Sequence, residues 1–256
     1  MTDRTQLDWL ASDNREFRRL LDEHPNVLDV LADVRDPNRH ATYLVVVELT
    51  WRLWIHAMGV EVLLREELYT SALVLQRAMF DAFVTLGYLV KHPQFQDEAV
   101  ILLAYSYIRD LKHFSNQAEL VKEYTQILAR MPKHLVDTAK ARAKKHPRTR
   151  SGKTVKEMAE AAGVSGYDPG YTSMSGEAHA SAMGRHITTI QDGRIMNVDA
   201  GRKATDKEVQ ASANFARRFL HVSFRTLWHV FGGPKIEIRS ENPDDWLKKQ
   251  VGGAGT

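Results

Sequence analysis

Three side chains at helical spacing give residues 171–187 the strongest chemical character in the sequence. Tyr171, Ser175 and His179 follow one another at intervals of four residues, so a helix would place all three on one face. A histidine changes its charge near neutral pH, and it can therefore serve as a general acid or base. Ser175 is an alternative nucleophile, although no Gly-x-Ser-x-Gly turn surrounds it. The segment is a candidate catalytic element.

A second polar pair lies on an apolar helix that is predicted to end at Lys91. Arg77 and Asp81 are one helical turn apart, and an arginine buried on such a helix needs a carboxylate partner. We expect the Tyr–Ser–His face to pack against this pair as one polar cluster. In the functional interpretation His179 moves a proton and Arg77 binds a phosphate. In the alternative, the cluster is a buried hydrogen-bond network that fixes helix register.

Residues 133–156 form a strongly basic segment with few apolar side chains after Val136. One interpretation is a solvated helix and loop, and the other is a surface that follows a phosphate backbone. The candidate phosphate-binding residues in this segment are Lys144, Lys145, Arg148 and Arg150.

Arginine and histidine also recur at a spacing of four residues. Such pairs share a helix face, and Arg109 with His113, one turn after Tyr105, is expected to line a polar substrate pocket. The other pairs include Arg142–His146 and Arg217–His221, and most of the pairs are expected to be surface or capping contacts.

The composition excludes several kinds of site. The 256 residues include no cysteine, which rules out disulfides, thiolate metal sites and a cysteine nucleophile. The chain also lacks the paired Glu-x-x-His motifs of a di-iron bundle, and SGKT at 151–154 lacks the upstream glycine of a phosphate-binding loop. We therefore expect no metal and no cofactor. The net charge of +3 permits nucleic-acid contact without requiring it.

Helices must position most of these groups. Apolar periodicity predicts four long helical regions, at 5–22, 41–68, 70–91 and 94–130. A capping box of Thr205 and Glu208 opens a last helix that ends at Phe231, and TTIQDGRIMNV predicts a hairpin about residues 192–193. The predicted fold class is all-α, a bundle of long antiparallel helices with a small polar insertion and a short β-hairpin before the last helix.

The predicted organisation comprises an N-terminal helical arm (1–36), a helical bundle domain (37–233) and a poorly ordered tail (234–256). The N-terminus has no secretory signal, and charges interrupt the most apolar run, 41–64. We therefore expect a cytoplasmic protein that stays out of the membrane and can form a homo-oligomer.

Two short motifs offer other assignments. TVKEMAEAAGVS at 154–165 is similar to the first helix and turn of a DNA-binding helix-turn-helix, but Pro169 would break the recognition helix. A small packing helix with a glycine cap is the alternative. RDPNRH at 35–40 has the Arg-to-His spacing of the HEPN superfamily of helical ribonucleases. Such spacings occur in this chain about as often as chance predicts.

Three segments in sequence order resemble a bacterial family known only as domain of unknown function 5677. They are LVLQRAMFDAFVTLGYLVKHP, KTVKEMAEAAGV and YTSMSGEAHAS, and the resemblance covers roughly residues 40–230. Arg77, Tyr171, Ser175 and His179 match the family pattern, whereas Asp81 stands where Glu is usual. The resemblance implies a helical cytoplasmic protein, with some members in mobile or defence-associated contexts, and it implies no activity.

Together these residues predict a metal-independent enzyme that cleaves RNA or acts on nucleotide phosphates, as a defence or toxin-like effector would. His179 would move the proton of a 2′-hydroxyl or of a leaving oxygen, while Arg77 neutralises phosphate charge. The alternative is a non-catalytic interaction or sensor module that binds nucleic acid through residues 133–165. RNA or a nucleotide is the expected partner.

Overall fold

Helices account for most of the residues that the structure describes. This computed structural model describes residues 5–23, 37–145, 153–164, 187–191, 194–198 and 204–231. Eight helices lie within these ranges: α1 (Thr5–Glu23), α2 (Pro37–Arg65), α3 (Tyr69–Lys91), α4 (Phe95–His113), α5 (Ala118–Arg130), α6 (Lys133–Lys145), α7 (Val155–Ala162) and α8 (Asp206–Phe231). The predicted all-α class is confirmed.

Two short strands precede the last helix. They are β1 (Ile187–Gln191) and β2 (Arg194–Val198), and they pair antiparallel. Ile190 lies opposite Ile195, and the register is irregular earlier in β1. The predicted turn residues 192–193 lie outside the described residues. A two-stranded sheet is only marginally stable by itself, so the helices supply the framework of the fold.

Residues 94–130, predicted as one helical region, form two helices. α4 ends at His113, the Phe114 amide donates to the Asp110 carbonyl at 2.8 Å, and the Gln117 amide donates to the Phe114 carbonyl at 2.8 Å. α5 then begins at Ala118. The connection contains neither proline nor glycine, the strongest breaker signals, and only Ser115 and Asn116 indicate a turn.

The chain divides into two compact units. The first unit comprises Met1–Asp22, Thr50–Phe83 and Ser165–Thr256, and the second comprises Glu23–Leu49 and Val84–Val164. α2 and α3 are continuous helices that contribute residues to both units. The domain boundaries predicted at residues 36 and 233 lie outside the described residues.

Aromatic side chains from α1 and α8 fill the core of the first unit. The Phe17 ring stacks on Phe224 with centroids 3.9 Å apart, and Phe219 stacks on Phe83 at 4.5 Å. Phe17 and Phe224 are almost completely buried. Burial of aromatic rings removes a large apolar area from water, so these contacts hold α8 against α1 and α3.

The core of the second unit forms between α4 and α6. Apolar residues of one face of each helix share a buried cluster: Val100, Ile101, Ala104, Tyr105, Ile108, Leu135, Val136, Ala139 and Ala143. In α6 the buried positions are 135, 136, 139 and 143. This spacing marks one face of the helix, and it fixes which side of α6 meets solvent.

α7 is a short helix with well-formed ends that packs on the second half of α3. Thr154 and Glu157 form a capping box, and Gly163 ends the helix with φ 65°, a conformation that glycine adopts without steric cost. The predicted packing helix with a glycine cap is therefore confirmed. A Cβ added at Gly87 would lie 3.4 Å from Ala162, so α3 and α7 approach closely there.

Within the described ranges, one helix is long and apolar enough to span a membrane by length and composition. This helix is α3, and half of its apolar window is buried inside the fold. A core helix passes the same test, so the property alone is weak evidence for a membrane span.

Candidate functional site

The Arg77–Asp81 pair exists as the sequence predicts. Arg77 Nη1 lies 3.0 Å from Asp81 Oδ1, across one turn of α3, and Arg77 is only 9% exposed. A carboxylate at this distance offsets part of the desolvation cost of the guanidinium. The proposed partners Tyr171, Ser175 and His179 lie outside the described residues, so their approach to the pair stays a prediction.

A buried carboxylate, Glu98, is the centre of the second unit. Its side chain is 1% exposed and receives hydrogen bonds from two different helices. The Tyr88 hydroxyl donates to Oε1 at 2.8 Å, Arg142 Nη1 donates to the same oxygen, and Arg142 Nη2 donates to Oε2 at 2.8 Å. The arginine bonds are bidentate, which is the strongest geometry for this pair. Glu98 therefore ties α3, α4 and α6 together.

Electrostatics fix the protonation states of Tyr88 and Arg142. Burial, reinforced by the adjacent Glu98 carboxylate, raises the pKa of Tyr88 far above its usual value. Burial also acts to lower the pKa of Arg142, but the hydrogen bonds and charge of Glu98 outweigh this effect and raise it. Tyr88 is thus a neutral donor and Arg142 a permanent cation at physiological pH.

Two further basic side chains flank the Glu98 centre. His92 Nε2 lies 3.9 Å from Glu98 Oε2, and its ring meets the Tyr88 ring edge-on at 5.5 Å. Lys153 Nζ lies 5.6 Å from the centroid of the Tyr88 ring, within the range of a cation–π contact. One carboxylate is therefore surrounded by several basic groups, so this part of the second unit favours anions over cations.

The first unit contains a comparable centre around Asp13. Arg217 Nε donates to Asp13 Oδ2 at 2.7 Å, and His221 Nε2 lies 2.8 Å from the same oxygen. Arg217 Nη1 also donates to Gln6 Oε1 at 2.9 Å, and its guanidinium lies 4.9 Å from the centroid of the Trp9 ring. His221 is buried, including Nδ1, whereas the Asp13 side chain keeps 15% of its surface exposed. The centre joins α1 to α8.

Neither centre resembles a metal site. A metal ion needs several carboxylate or imidazole ligands around one point. Within the described ranges, no group of three His, Asp or Glu side chains is placed to hold one. At Glu98 and at Asp13 an arginine is already paired with the carboxylate, and the positive charge of the arginine repels a cation. The expectation that the whole chain uses no metal stays a prediction.

α6 presents its lysines to solvent. Lys133, Lys140 and Lys144 are exposed, and at 3.6 residues per turn they form one row along the helix. Arg142 lies about half a turn away from Lys140 and Lys144, so its bond to Glu98 directs that row outward. We call these three residues the lysine row. Lys145 is exposed beside it, whereas Arg148 and Arg150 lie outside the described residues.

The structure separates the members of the predicted Arg109–His113 pocket. Tyr105 is buried in the core of the second unit, whereas Arg109 and His113 are exposed. Arg109 pairs with its neighbour Asp110 at 3.2 Å, and the His113 ring meets Phe114 edge-on. These two residues therefore lie on the surface, and their role in substrate binding stays a prediction.

A family model matches residues 43–194 of the chain under the description family of unknown function, DUF5677. The match covers more than half of the chain. The chain belongs to this family. The resemblance found in the sequence is thereby confirmed, whereas the HEPN-like interpretation stays a prediction. No curated protein and no solved structure is detectably similar to the chain.

The family match contains one of the two carboxylate centres and excludes the other. The matched range contains Arg77, Asp81, Glu98 and the whole of α6. It excludes α1 and α8, and so excludes the Asp13 centre. The Glu98 centre and the lysine row are therefore parts of the DUF5677 region, while the Asp13 centre joins elements on either side of it.

Sequence reasoning missed both carboxylate centres. Arg142 and Arg217 belong to the Arg-x-x-x-His pairs, most of which were expected on the surface or at helix ends, yet each makes a charge-assisted bond to a buried or half-buried carboxylate. Glu98 and Arg142 are 44 residues apart, and Asp13 and Arg217 are 204 apart. No local spacing connects such residues. The sequence offered one signal for the Glu98 centre. Glu98 is a charged residue that stands directly before the apolar run AVILLA.

Replacement of Glu98 by Gln tests the central role of this carboxylate. Glu98→Gln keeps the side-chain shape but removes the charge that Arg142 needs, and we expect it to lower the free energy of unfolding by about 3 kcal/mol. The measurement is urea denaturation. Glu123→Gln, on the exposed surface of α5, is the control and should change stability by about 0.5 kcal/mol or less. Equal small effects of the two variants would contradict a structural role for Glu98.

Proposed function

We propose that the chain binds RNA through the lysine row of α6. The observation that supports the proposal most directly is the orientation of α6 about its own axis. Its apolar face is buried, Arg142 is drawn toward Glu98, and Lys133, Lys140 and Lys144 are left exposed on the opposite side. Exposed lysines in a row neutralise successive phosphates and release their counterions, which drives sequence-independent binding.

The charge balance of α6 favours an anionic partner. The helix carries four exposed lysines, at 133, 140, 144 and 145, and Asp137 is its one acidic residue. Asp137 lies 3.7 Å from Lys140, and both side chains are more than half exposed. An exposed ion pair of this kind contributes little, so a phosphate can replace Asp137 as the partner of Lys140 at little cost.

The proposed activity is metal-independent cleavage of RNA or attack on a nucleotide phosphate. Arg77 would neutralise phosphate charge, because a guanidinium suits phosphate geometry, and Asp81 lies 3.0 Å from it. His179 would transfer the proton, with Tyr171 and Ser175 on the same helix face. We place this activity in the bacterial cytoplasm, on an antiparallel helical bundle, as a defence or toxin-like function.

A non-catalytic RNA-binding or sensor module is the second candidate. The Glu98 and Asp13 centres favour it, because in both the carboxylate is matched by an arginine and serves to join helices. This candidate predicts the same RNA affinity and the same salt dependence, but no cleavage. The two candidates therefore differ in activity alone.

The dependence of RNA affinity on salt tests the binding surface. We expect Lys133→Gln/Lys140→Gln/Lys144→Gln to weaken binding of single-stranded RNA, and to flatten the slope of log K against log [salt] by about 2 units, because each phosphate contact contributes roughly 0.7. Glutamine keeps the helix propensity of lysine. Fluorescence anisotropy at several salt concentrations gives the slope.

A second triple variant controls for net charge. Lys112→Gln/Lys122→Gln/Lys207→Gln removes three exposed charges on α4, α5 and α8, and it should leave the slope close to that of the wild type. If both triple variants change the slope equally, binding follows the overall charge and the proposed surface is wrong.

Loss of cleavage on removal of one imidazole separates the two candidates. We expect His179→Ala to abolish RNA cleavage, to preserve RNA binding, and to leave Tm within a few degrees of the wild type. EDTA should not reduce the wild-type rate, because the proposed chemistry uses only side chains. Cleavage by His179→Ala at the wild-type rate would exclude the proposed mechanism, and an EDTA-sensitive rate restored by a divalent cation would exclude metal independence.

A further inference from the structure

One face of α2 exposes an apolar stripe to solvent. Trp51 is 47% exposed, Ile55 42% and Val62 58%, and Met58 between them is half-buried. We call these four residues the α2 stripe. Single exposed apolar side chains are common on protein surfaces, but a contiguous set on one helix face marks an interaction site.

The spacing of the α2 stripe is that of a helix-pairing seam. Its residues follow one another at intervals of four, three and four, the alternation of the a and d positions in a coiled coil. The other side of α2 faces the core, where Leu53, Ala57 and Val60 are completely buried. The stripe is thus a second apolar face, separate from the one that stabilises the fold.

The largest side chain of the stripe is held in place from beneath. The Trp51 ring meets the buried Trp54 ring at 5.0 Å, and Trp54 Nε1 donates to the Asn14 carbonyl on α1 at 3.4 Å. An aromatic side chain that is ordered before binding loses little conformational entropy when a partner covers it. Trp51 therefore has the properties of an interface anchor.

We propose that the α2 stripe binds the same stripe of a second copy of this chain, with the two helices antiparallel. In this arrangement the two-fold axis passes between residues 56 and 57. Trp51 then faces Val62 of the other copy, and Ile55 faces Met58. The largest side chain, Trp51, thus meets the smallest, Val62, while Ile55 and Met58 are of similar size, so the surface is complementary to itself, as a two-fold interface requires.

Charges at the ends of the stripe select the antiparallel orientation. The next seam position before Trp51 is Glu48 and the next after Val62 is Arg65, and both are exposed. Antiparallel pairing places Glu48 of one copy opposite Arg65 of the other at both ends of the interface. Parallel pairing would place like charges together, at a cost in binding energy. Glu48 and Arg65 thus favour a second copy of the chain as the partner and favour the antiparallel orientation.

The existing contacts of Arg65 do not prevent this pairing. Arg65 lies 3.3 Å from Asp8 and 3.3 Å from Glu61, and its side chain is 39% exposed. The pair with Asp8 is exposed and such pairs contribute little, so Arg65 can contact Glu48 of a second copy without a large penalty. An interface of one helix from each copy is small, which makes the expected dimer weak and reversible.

Engineered disulfides test the partner and the orientation together. The chain has no cysteine, so each substitution introduces the only thiol. We expect a mixture of Glu48→Cys and Arg65→Cys chains to form disulfide-linked dimers under mild oxidation, while either variant alone forms few. In antiparallel pairing, positions 48 and 65 of different copies are opposite each other, whereas equal positions are too far apart for a disulfide. Efficient dimers of either variant alone would overturn the antiparallel pairing.

Sedimentation equilibrium tests whether the stripe forms the interface. The wild type should show a reversible monomer–dimer equilibrium that Ile55→Glu shifts toward monomer, with Tm unchanged. Val90→Glu, the same change at an exposed apolar residue of α3, should leave the equilibrium unaltered. A wild type that is monomeric at all concentrations would overturn the proposal. So would an Ile55→Glu variant that loses stability without a change in mass, since the stripe would then be covered within one chain.

Discussion

The burial of the Glu98 carboxylate constrains the rest of the second unit. A carboxylate removed from water must be compensated inside the protein by charge and by hydrogen bonds. Tyr88 and Arg142 supply both, and they come from α3 and α6 while Glu98 belongs to α4. Three helices therefore meet at a single side chain. Their apolar contacts provide most of the stabilising energy, but the carboxylate specifies which side of each helix faces inward.

This constraint links the core of the second unit to its surface. Because Arg142 is turned toward Glu98, the lysine row on the other side of α6 faces solvent. The Arg142 guanidinium, which neutralises the buried charge of Glu98, therefore also determines which way the exposed lysine row faces. In the first unit, Asp13 joins α1 to α8 in a similar way, through Arg217 and His221. Both centres use ion pairs to specify helix contacts, a role that apolar packing alone performs less selectively.

The sequence predicted local features and missed distant ones. Apolar periodicity located α1, α2 and α3, and the pairing of Arg77 with Asp81 followed from a spacing of one helical turn. The break between α4 and α5 was missed, since FSNQ contains no proline or glycine and its Ser and Asn are weaker turn signals. Glu98 with Arg142 could not be predicted either, because their contact depends on how α4 packs against α6. The basic character of residues 133–145 was evident, but which cations face solvent was not.

Chemical footprinting of lysines on the RNA complex tests the proposed surface most directly. Acetylation of surface lysines, followed by mass spectrometry with and without single-stranded RNA, reports which ammonium groups the RNA covers. The proposed surface predicts strong protection of Lys133, Lys140 and Lys144, and unchanged reactivity of Lys112 and Lys122 on neighbouring helices. Equal protection at all five positions, or none at the lysine row, would contradict it.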